Sequence, residues 1–330
     1  MKRTIYIFSD GELKRKENTL YFETDEGKKY IPVENTSEIH VFGEVSLNKR
    51  FLEFLTQAEI IMHFFNHYGY YVGSFYPREH LNSGYMILKQ AEHYIDSKKR
   101  IVLAKGFVNG AVENIKRVLS YYANRGKPVS DQRDAILSLS DSIDKCNTTE
   151  ELMAIEGNIR DQYYRAFDMI LDNEHFIFEE RTKRPPLNRL NALISFGNSI
   201  LYTICLSEIY HTHLDPRIGF LHTTNFRRFT LNLDVSEIFK PIIVDRTIFT
   251  LINRGIIKRG HFEKRLQGVV LNEKGRELFI RYLDERLKST FKHRRLGRHV
   301  SYRRLIRLEL YKIEKHLIGE EPYTPFIARW

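Results

Sequence analysis

The spacing of apolar residues changes once along the chain, near residue 77, and this change constrains the fold more than any other feature. Before it, short runs rich in Ile, Val, Tyr and Phe alternate with turn signals, a pattern typical of strands. One amphipathic helix is predicted within this part, where Leu47, Phe51, Leu55 and Ala58 recur at helical spacing. The predicted strands are TIYIFS, NTLYFET, KKYIPV, SEIHVFG, EIIMHFF and YYVGSFY.

Beyond the stretch FYPREHLNSGY the spacing is helical for most of the chain. Pro77 and the run Asn82, Ser83, Gly84 indicate a linker over residues 77–86. One stretch of β structure is predicted within this helical part, in GIIKRGHFEKRLQGVVLN, and a helix is predicted to begin after Asn272. The fold class is therefore α+β, with a small β-rich domain over residues 1–76 and a large all-α domain over residues 87–330. The other predicted helices are Ile87–Ser97, Ile101–Ala123, Ser130–Ile143, Thr149–Asp172 and Asn188–Ile209.

The composition is that of a soluble globular protein, with 42% hydrophobic and 28% charged residues among 330. No apolar run approaches the roughly 18 residues that a membrane span needs. The stretch MKRTIYIFSDGEL contains no signal-peptide core, so a cytoplasmic location and no membrane partner are expected. Cys146 and Cys205 are the only cysteines, which argues against a disulfide framework or a cysteine zinc site.

Positive charge is concentrated in one segment near the end of the sequence. The chain has 52 Lys and Arg against 42 Asp and Glu, and Arg286–Arg307 contains nine basic residues and no acid. Such a segment favours a polyanionic partner, most simply DNA. A solvated basic helix is the alternative interpretation. The predicted phosphate contacts are Arg294, Arg295, Arg298, Arg303 and Arg304.

Glu156 lies in an apolar stripe of its predicted helix, EELMAIEGNIRDQYYRAF. At 100° per residue it falls about 20° from Tyr163 and from Phe167, inside an apolar arc about 120° wide. A solvated glutamate would lie on the opposite side. Two interpretations remain: an ion pair with Arg160, one helical turn away, or a functional site.

Three more acids share an apolar stripe in LDVSEIFKPIIVDRTIFTLI. Asp234, Glu237 and Asp245 would repel one another and lose hydration unless cations neutralise them. Pro241 cannot donate a backbone hydrogen bond, so a kink is predicted at the acidic turn. The neutralising cations are either a metal ion or arginines, for which Arg227, Arg228 and Arg246 are the nearby candidates.

His222 lies a short loop before this acidic helix. The acidic helix and Glu156 offer carboxylates beside it, and two carboxylates with one imidazole suit Mn²⁺ or Mg²⁺. Zinc prefers more nitrogen, which His211 and His213 would supply as a rival set. A hydrogen-bonded core histidine is the third interpretation. A divalent ion beside a basic surface indicates phosphoryl transfer on nucleic acid.

Four segments resemble a known family when taken in order. They are EGNIRDQYYRAF with Glu156, LNALISFGNSILY, LDPRIGFLH ending at His222, and LDVSEIFKPIIVDR. Together with the N-terminal β-rich part and SYRRLIRLELYKIEKHLIGE, they are similar to the CRISPR-associated integrase. That family is the universal metal-dependent endonuclease subunit of CRISPR spacer acquisition. The resemblance covers essentially the whole chain.

The resemblance implies a sandwich-like β domain that forms a homodimer and an α-helical catalytic, DNA-binding domain. It implies that Glu156, His222 and Glu237 bind Mg²⁺ or Mn²⁺, with Asp234 as a neighbouring acid of the catalytic site. The third ligand is aspartate in many members and glutamate in others. The implied reaction is attack of the 3′-hydroxyl of a captured DNA fragment on a repeat array, in two strand-transfer steps. A small ferredoxin-like adaptation protein is the implied partner.

Two other functions are compatible with the residues. One is a non-catalytic DNA-binding structural protein whose acidic helix pairs only with arginines. The other is a divalent-metal nuclease that takes no part in integration.

Overall fold

The computed structural model describes residues 2–78, 81, 83–224, 229–265, 268–293 and 296–329. Contacts divide the chain into two compact units, Met1–His80 and Leu81–Trp330. The first is β-rich and the second mainly helical, which confirms the predicted α+β class.

The first unit contains eight strands and one α-helix among its described residues. Its single helix begins after Asn48, whose side chain accepts a hydrogen bond from the N–H of Phe51 at 3.1 Å. In chain order the elements are β1 (Arg3–Ile7), β2 (Gly11–Lys16), β3 (Thr19–Thr24), β4 (Gly27–Ile31), β5 (Thr36–Val41), β6 (Val45–Leu47), α1 (Lys49–Ala58), β7 (Ile61–Phe65) and β8 (Tyr71–Phe75).

These strands form two four-stranded sheets around one apolar core. One sheet has the order β1-β5-β7-β8, with β1, β5 and β7 parallel, and the other has the order β4-β3-β2-β6. The core joins Ile39 and Met62 of the first sheet to Leu13 and Leu20 of the second, and Phe51 of α1 packs into it. Burial of large apolar side chains from both sheets drives this face-to-face packing.

Helices make up most of the second unit. The site-bearing helices have defined starts: Thr148 and Glu151 form a capping box at α5, and Asn188 caps α6. The elements are α2 (Gly84–Ile95), α3 (Ser97–Ala123), α4 (Ser130–Ser140), α5 (Thr149–Leu171), α6 (Arg189–Tyr210), α7 (Leu231–Phe239), α8 (Arg246–Asn253), β9 (Phe262–Arg265), β10 (Gly268–Leu271), α9 (Glu273–Lys288), β11 (Thr290–Lys292), β12 (His299–Ser301) and α10 (Tyr302–Leu317).

Three details differ from the sequence predictions. The proposed linker over 77–86 is partly helical, because Ser83 caps α2 by accepting from the N–H of Met86 at 3.2 Å. The large domain is not all-α. The strands β9 and β10 form the predicted stretch of β structure, and an unpredicted hairpin, β11–β12, follows them. That hairpin lies inside Arg286–Arg307, so the basic segment is not one continuous helix.

Helix α6 is the central helix of the second unit. By length and composition alone it would pass as a membrane span, contrary to the expectation from the sequence. However, 83% of its most apolar window is buried inside the protein, as in the core helix of a folded domain. Its apolar character therefore follows from packing on all sides.

The helix that carries the acidic stripe is distorted at Pro241, as the sequence predicts. After α7 the chain passes through a π-helical turn, Lys240–Asp245, before α8 begins. Proline cannot donate the helical hydrogen bond, and a π turn absorbs this defect without ending the helix. The turn places Asp245 in the interior, with none of its surface exposed.

Asp245 should make stability depend on pH. Burial raises its pKa to about 7 from 3.8, although Arg160 and Lys240 oppose the rise. The stability that the protonated carboxyl contributes is complete below pH 3.8 and is lost as pH rises through about 7. An Asp245→Asn variant has no carboxyl to ionise at this position and should not lose this stability. The Tm of the variant minus the Tm of the wild type should therefore increase between pH 5 and pH 8. An increase of about 2 °C or more is expected in thermal unfolding. A Tm difference independent of pH would contradict the prediction.

Candidate metal centre

Asp234 links helix α7, on which it lies, to the loop that precedes this helix. Its carboxylate is fully buried and accepts hydrogen bonds from the backbone N–H groups of Phe220, Leu221 and His222. The distances to the N–H nitrogens of Leu221 and His222 are 3.0 and 2.9 Å. A Cβ at Gly219 would lie 2.8 Å from Asp234 Oδ2, so the close approach of this loop requires glycine. Charge-assisted hydrogen bonds thus replace the hydration that Asp234 loses on burial.

The same carboxylate orients the imidazole of His222. Asp234 Oδ1 lies 2.8 Å from His222 Nδ1. Burial disfavours a positive charge on the ring, but the hydrogen bond and charge of Asp234 outweigh it and raise the pKa of His222. In the neutral form Nδ1 carries the proton, which leaves the lone pair on Nε2 for a ligand.

Glu156 of α5 and Glu237 of α7 approach each other across one arginine. Arg160 Nη2 lies 3.2 Å from Glu156 Oε1 and 2.6 Å from Glu237 Oε2. The second oxygen of Glu237 accepts from Lys240, one turn along the same helix. Arg160, Glu237 and Lys240 are all buried. The arginine and the lysine therefore neutralise both glutamates.

Glu237 is ionised at any ordinary pH. Burial raises the pKa of this carboxyl, but Lys240, Arg160 and His222 more than offset the effect and bring it to about 2. The glutamate in turn holds the pKa of Lys240 above its usual range against burial. The site is thus a network of buried opposite charges, which is stable only while every member keeps a partner.

The predicted ligands fit a divalent ion by the chemistry of their donors. They offer two carboxylates and an imidazole whose Nδ1 is held by a buried acid, a common arrangement around protein-bound metals. Their donor atoms do not form a tight set, because Arg160 and Lys240 occupy the glutamate oxygens. Among the described residues, the three-residue set with all donor atoms within 4.8 Å of one another lies elsewhere, at Glu38, His40 and His63.

The rival partners that the structure describes are not part of the ion pairs that link Arg160 and Lys240 to the two glutamates. His213 contacts Glu314, with Nδ1 and Oε1 3.2 Å apart, and neither it nor His211 belongs to a clustered ligand set among the described residues. Arg246 lies over the ring of Tyr121, with its Cζ 4.3 Å from the centroid. Arg227 and Arg228 fall outside the described residues.

The five arginines proposed to contact DNA have different surroundings. Arg294 and Arg295 lie outside the described residues, and Arg298 is exposed just before β12. Arg303 Nε donates to buried Glu208 at 2.8 Å, which ties α10 to α6. Arg304 is half-buried, with its Cζ 5.8 Å from the ring centroid of Tyr311. Of the described three, Arg298 is the most accessible to a phosphate, whereas Arg303 has a structural ion pair.

Two basic residues of the site were not identified from the sequence. Lys240 stands three residues after Glu237, a spacing that allows a helical ion pair and was available as a signal. Lys183 lies in the segment between α5 and α6, where burial lowers its pKa while Glu156 and Glu237 oppose the change. Its position near the carboxylates depends on tertiary packing, and no local pattern predicts it.

Comparison with known proteins identifies the family. The family described as CRISPR associated protein Cas1 matches residues 5–285. A CRISPR-associated endonuclease Cas1 of Thermodesulfovibrio yellowstonii is 70% identical over 330 residues, which is 100% of both chains. The CRISPR-associated endonuclease Cas1 of Thermotoga maritima is 52% identical over 320 residues, 97% of this chain and 98% of that one.

Comparison with solved structures supports the same family. A Cas1 protein from Thermotoga maritima superposes with a TM-score of 0.90 at 50% identity, over 98% of this chain and 99% of that one. A casposase bound to integration product has a TM-score of 0.88 at 20% identity, over 100% and 96% of the chains, and shows the shared fold. The chain belongs to the Cas1 family of CRISPR-associated, metal-dependent endonucleases.

Proposed function

We propose that this endonuclease acts as an integrase, inserting captured DNA fragments into a CRISPR repeat array. The 3′-hydroxyl of the fragment would attack a phosphodiester of the repeat, in two strand-transfer steps. Glu156, His222 and Glu237 would hold Mg²⁺ or Mn²⁺. The observation that carries the proposal is the imidazole of His222, which buried Asp234 holds and the charge of Glu237 reaches, while Arg160 links Glu237 to Glu156.

Each residue of the site has a distinct role in this proposal. Asp234 positions His222 by accepting from its Nδ1, and the backbone N–H groups hold Asp234 in place. Glu237 remains a carboxylate because its pKa lies near 2. A bound divalent ion supplies polarisation of the phosphodiester and stabilises charge on the attacking and leaving oxygens.

Arg160 and Lys240 balance the charge of the site in the metal-free state. Without an ion, the two glutamates would repel each other in a largely buried setting. Arg160 contacts both, and Lys240 contacts Glu237. With an ion held by the carboxylates, Arg160 and Lys240 would be free to contact phosphate oxygens of the DNA, for which guanidinium is well suited.

The assembly follows by analogy with related chains. Two structural neighbours are Cas6-RT-Cas1–Cas2 complexes, and another is a casposase bound to integration product. We infer a cytoplasmic homodimer joined through the β-rich units, which extend over about residues 1–76. The partners would be a small ferredoxin-like adaptation protein and DNA, both the captured fragment and the repeat array.

One observation favours a second candidate. Arg160 already bridges Glu156 and Glu237, which is the arrangement expected of a non-catalytic DNA-binding protein. In that case no divalent ion would bind, and the experiments below separate the two functions.

Divalent ions should stabilise the protein through the two glutamates. Mn²⁺ at a hundredfold excess over its Kd should stabilise the wild type by about 2.7 kcal/mol, measured as a rise in Tm. A Glu156→Ala, Glu237→Ala double variant should lose most of this response. The control removes Glu174, whose side chain is 85% exposed, and Glu320, which is 58% exposed. Equal responses in the wild type and the site variant would exclude these glutamates as ligands.

Removing His222 should abolish chemistry while sparing DNA binding. His222→Ala should lower strand transfer and cleavage by a factor on the order of 10² or more, because charge stabilisation in the transition state is lost. The histidine contributes no large apolar surface, so the variant should remain folded. His213→Ala, which removes the rival histidine, should keep wild-type activity. Near wild-type transfer by His222→Ala, or its unfolding, would make His222 an ordinary core histidine.

Arg294, Arg295 and Arg298 should supply affinity for DNA without sequence preference. Replacing Arg294, Arg295 and Arg298 with Gln should weaken binding to unrelated sequences alike. It should also flatten the dependence of log K on log salt concentration by about 0.9 per lost phosphate contact. Arg303→Gln is the matched control, because that side chain is paired with Glu208 and should affect stability more than the salt slope. An unchanged slope in the triple variant would rule out phosphate contacts there.

Strand transfer also separates integration from simple nuclease action. The full chain, supplied with the adaptation protein and a plasmid bearing a repeat array, should join a labelled fragment to the repeat border. Metal-dependent cleavage without joining would support a nuclease that has no role in integration.

A further inference from the structure

A second group of metal-binding side chains lies in the first unit. In β5 the side chains of Glu38 and His40 point to the same face, because alternate residues of a strand do so. His40 is paired in register with His63 on the neighbouring parallel strand β7. Sheet geometry therefore brings one carboxylate and two imidazoles together from two adjacent strands.

All three side chains are fully buried. Glu38, His40 and His63 have no exposed surface, and their donor atoms lie within 4.8 Å of one another. Neither ring nitrogen of His40 has a hydrogen-bond partner among the described residues. A buried imidazole without a hydrogen-bond partner costs about 1–3 kcal/mol, so a ligand that binds His40 would stabilise this arrangement.

The distances fit a shared ion better than direct contacts. His40 Nε2 lies 3.5 Å from Glu38 Oε1, and His63 Nε2 lies 3.8 Å from Glu38 Oε2. Both exceed the usual range for a hydrogen bond between nitrogen and oxygen. Ligands about 2.0–2.1 Å from a tetrahedral zinc ion are separated by about 3.4 Å, which is close to the observed spacing.

Neighbouring residues hold the ligands in the orientation that a metal requires. His63 Nδ1 contacts Ser74 Oγ at 2.6 Å, which directs Nε2 toward Glu38. Thr4 Oγ1 donates to Glu38 Oε1 at 2.8 Å, and Tyr71 Oη contacts Ser74 Oγ at 2.8 Å. Metal-binding histidines and carboxylates commonly have such supporting hydrogen bonds.

A simple ion pair explains these observations less well. One protonated histidine would neutralise Glu38 but would leave the second imidazole beside it, also buried. The ring of His40 packs against Phe65 and edge-on against His63, with centroids 5.6 and 4.9 Å apart, and these contacts satisfy neither nitrogen. A divalent ion would engage both imidazoles and the carboxylate at once.

We propose that Glu38, His40 and His63 form a structural zinc site within the β-rich unit, separate from the metal centre of the helical unit. Two imidazoles and one carboxylate suit Zn²⁺ better than Mg²⁺, which prefers oxygen ligands. Three protein ligands leave one tetrahedral position for water. The full burial of the ligands gives the ion a structural role, in which it links β5 to β7.

The test uses the full chain in a His222→Ala, Glu237→Ala background, so that ions at the other centre do not contribute. After chelation, reloading with Zn²⁺ and desalting, elemental analysis should find one zinc per chain, and loading should raise Tm. Adding His40→Phe, which keeps an aromatic ring against Phe65, should remove the bound zinc and the Tm response. His67→Phe is the control, because His67 is exposed in the turn after β7. Absence of zinc from the background protein, or its retention after His40→Phe, would overturn the proposal.

A second measurement leaves the cluster unaltered and covers the case in which His40→Phe does not fold. Zinc-edge X-ray absorption of the loaded background protein should show two imidazole nitrogens and oxygen ligands at about 2.0–2.1 Å. Coordination by oxygen alone would indicate adventitious surface binding and would overturn the proposal. If no metal ion bound at Glu156, both of these results would be unchanged. The two proposals can therefore fail independently.

Discussion

The structure of the candidate metal centre depends on one buried carboxylate. Asp234 accepts from three consecutive backbone N–H groups and from the ring of His222, so a single side chain fixes both the loop and the imidazole. A charge without exposed surface is tolerated only when its oxygens are satisfied in this way. Because Asp234 lies one turn before Glu237 on α7, the same helix that holds the loop also presents a candidate ligand.

The remaining charges of the site set its electrostatic balance. Arg160 contacts a glutamate on its own helix and another on α7, and Lys240 completes the neutralisation of Glu237. Removing one member would leave an uncompensated buried charge, which typically costs about 3–5 kcal/mol. A divalent ion can replace the cations without such a cost, so the network is compatible with a stable metal-free state and a loaded state.

The sequence predicted the fold class and most helices because their signals are local. Apolar spacing and caps placed α2, α3, α5 and α6 near their observed positions, and Pro241 predicted the distortion in the acidic helix. Strand β2, with the sequence GELKRK, was not predicted, since Leu13 is its only buried side chain and its structure depends on pairing with β3. The hairpin β11–β12 was missed for a similar reason, because its strands are only three residues long and lie within the basic segment Arg286–Arg307.

The candidate site was predictable in its residues but not in its contacts. Glu156, Glu237 and His222 were identified from acids in an apolar stripe and from four segments that resemble the Cas1 family, and the family is confirmed. Periodicity could not show that Arg160 joins two helices or that Lys183 approaches from a distant loop. Glu38, His40 and His63 also escaped notice, because their association depends on the register of two parallel strands.

We infer that an ion replaces Arg160 between the two glutamates. Anomalous diffraction from crystals of the full chain grown with Mn²⁺ tests it most directly. We expect a peak bounded by Glu156, His222 Nε2 and Glu237, at ligand distances of about 2.0–2.3 Å, with the guanidinium of Arg160 displaced from Glu237. A map without density there, in which Arg160 still bridges both carboxylates at saturating Mn²⁺, would contradict it.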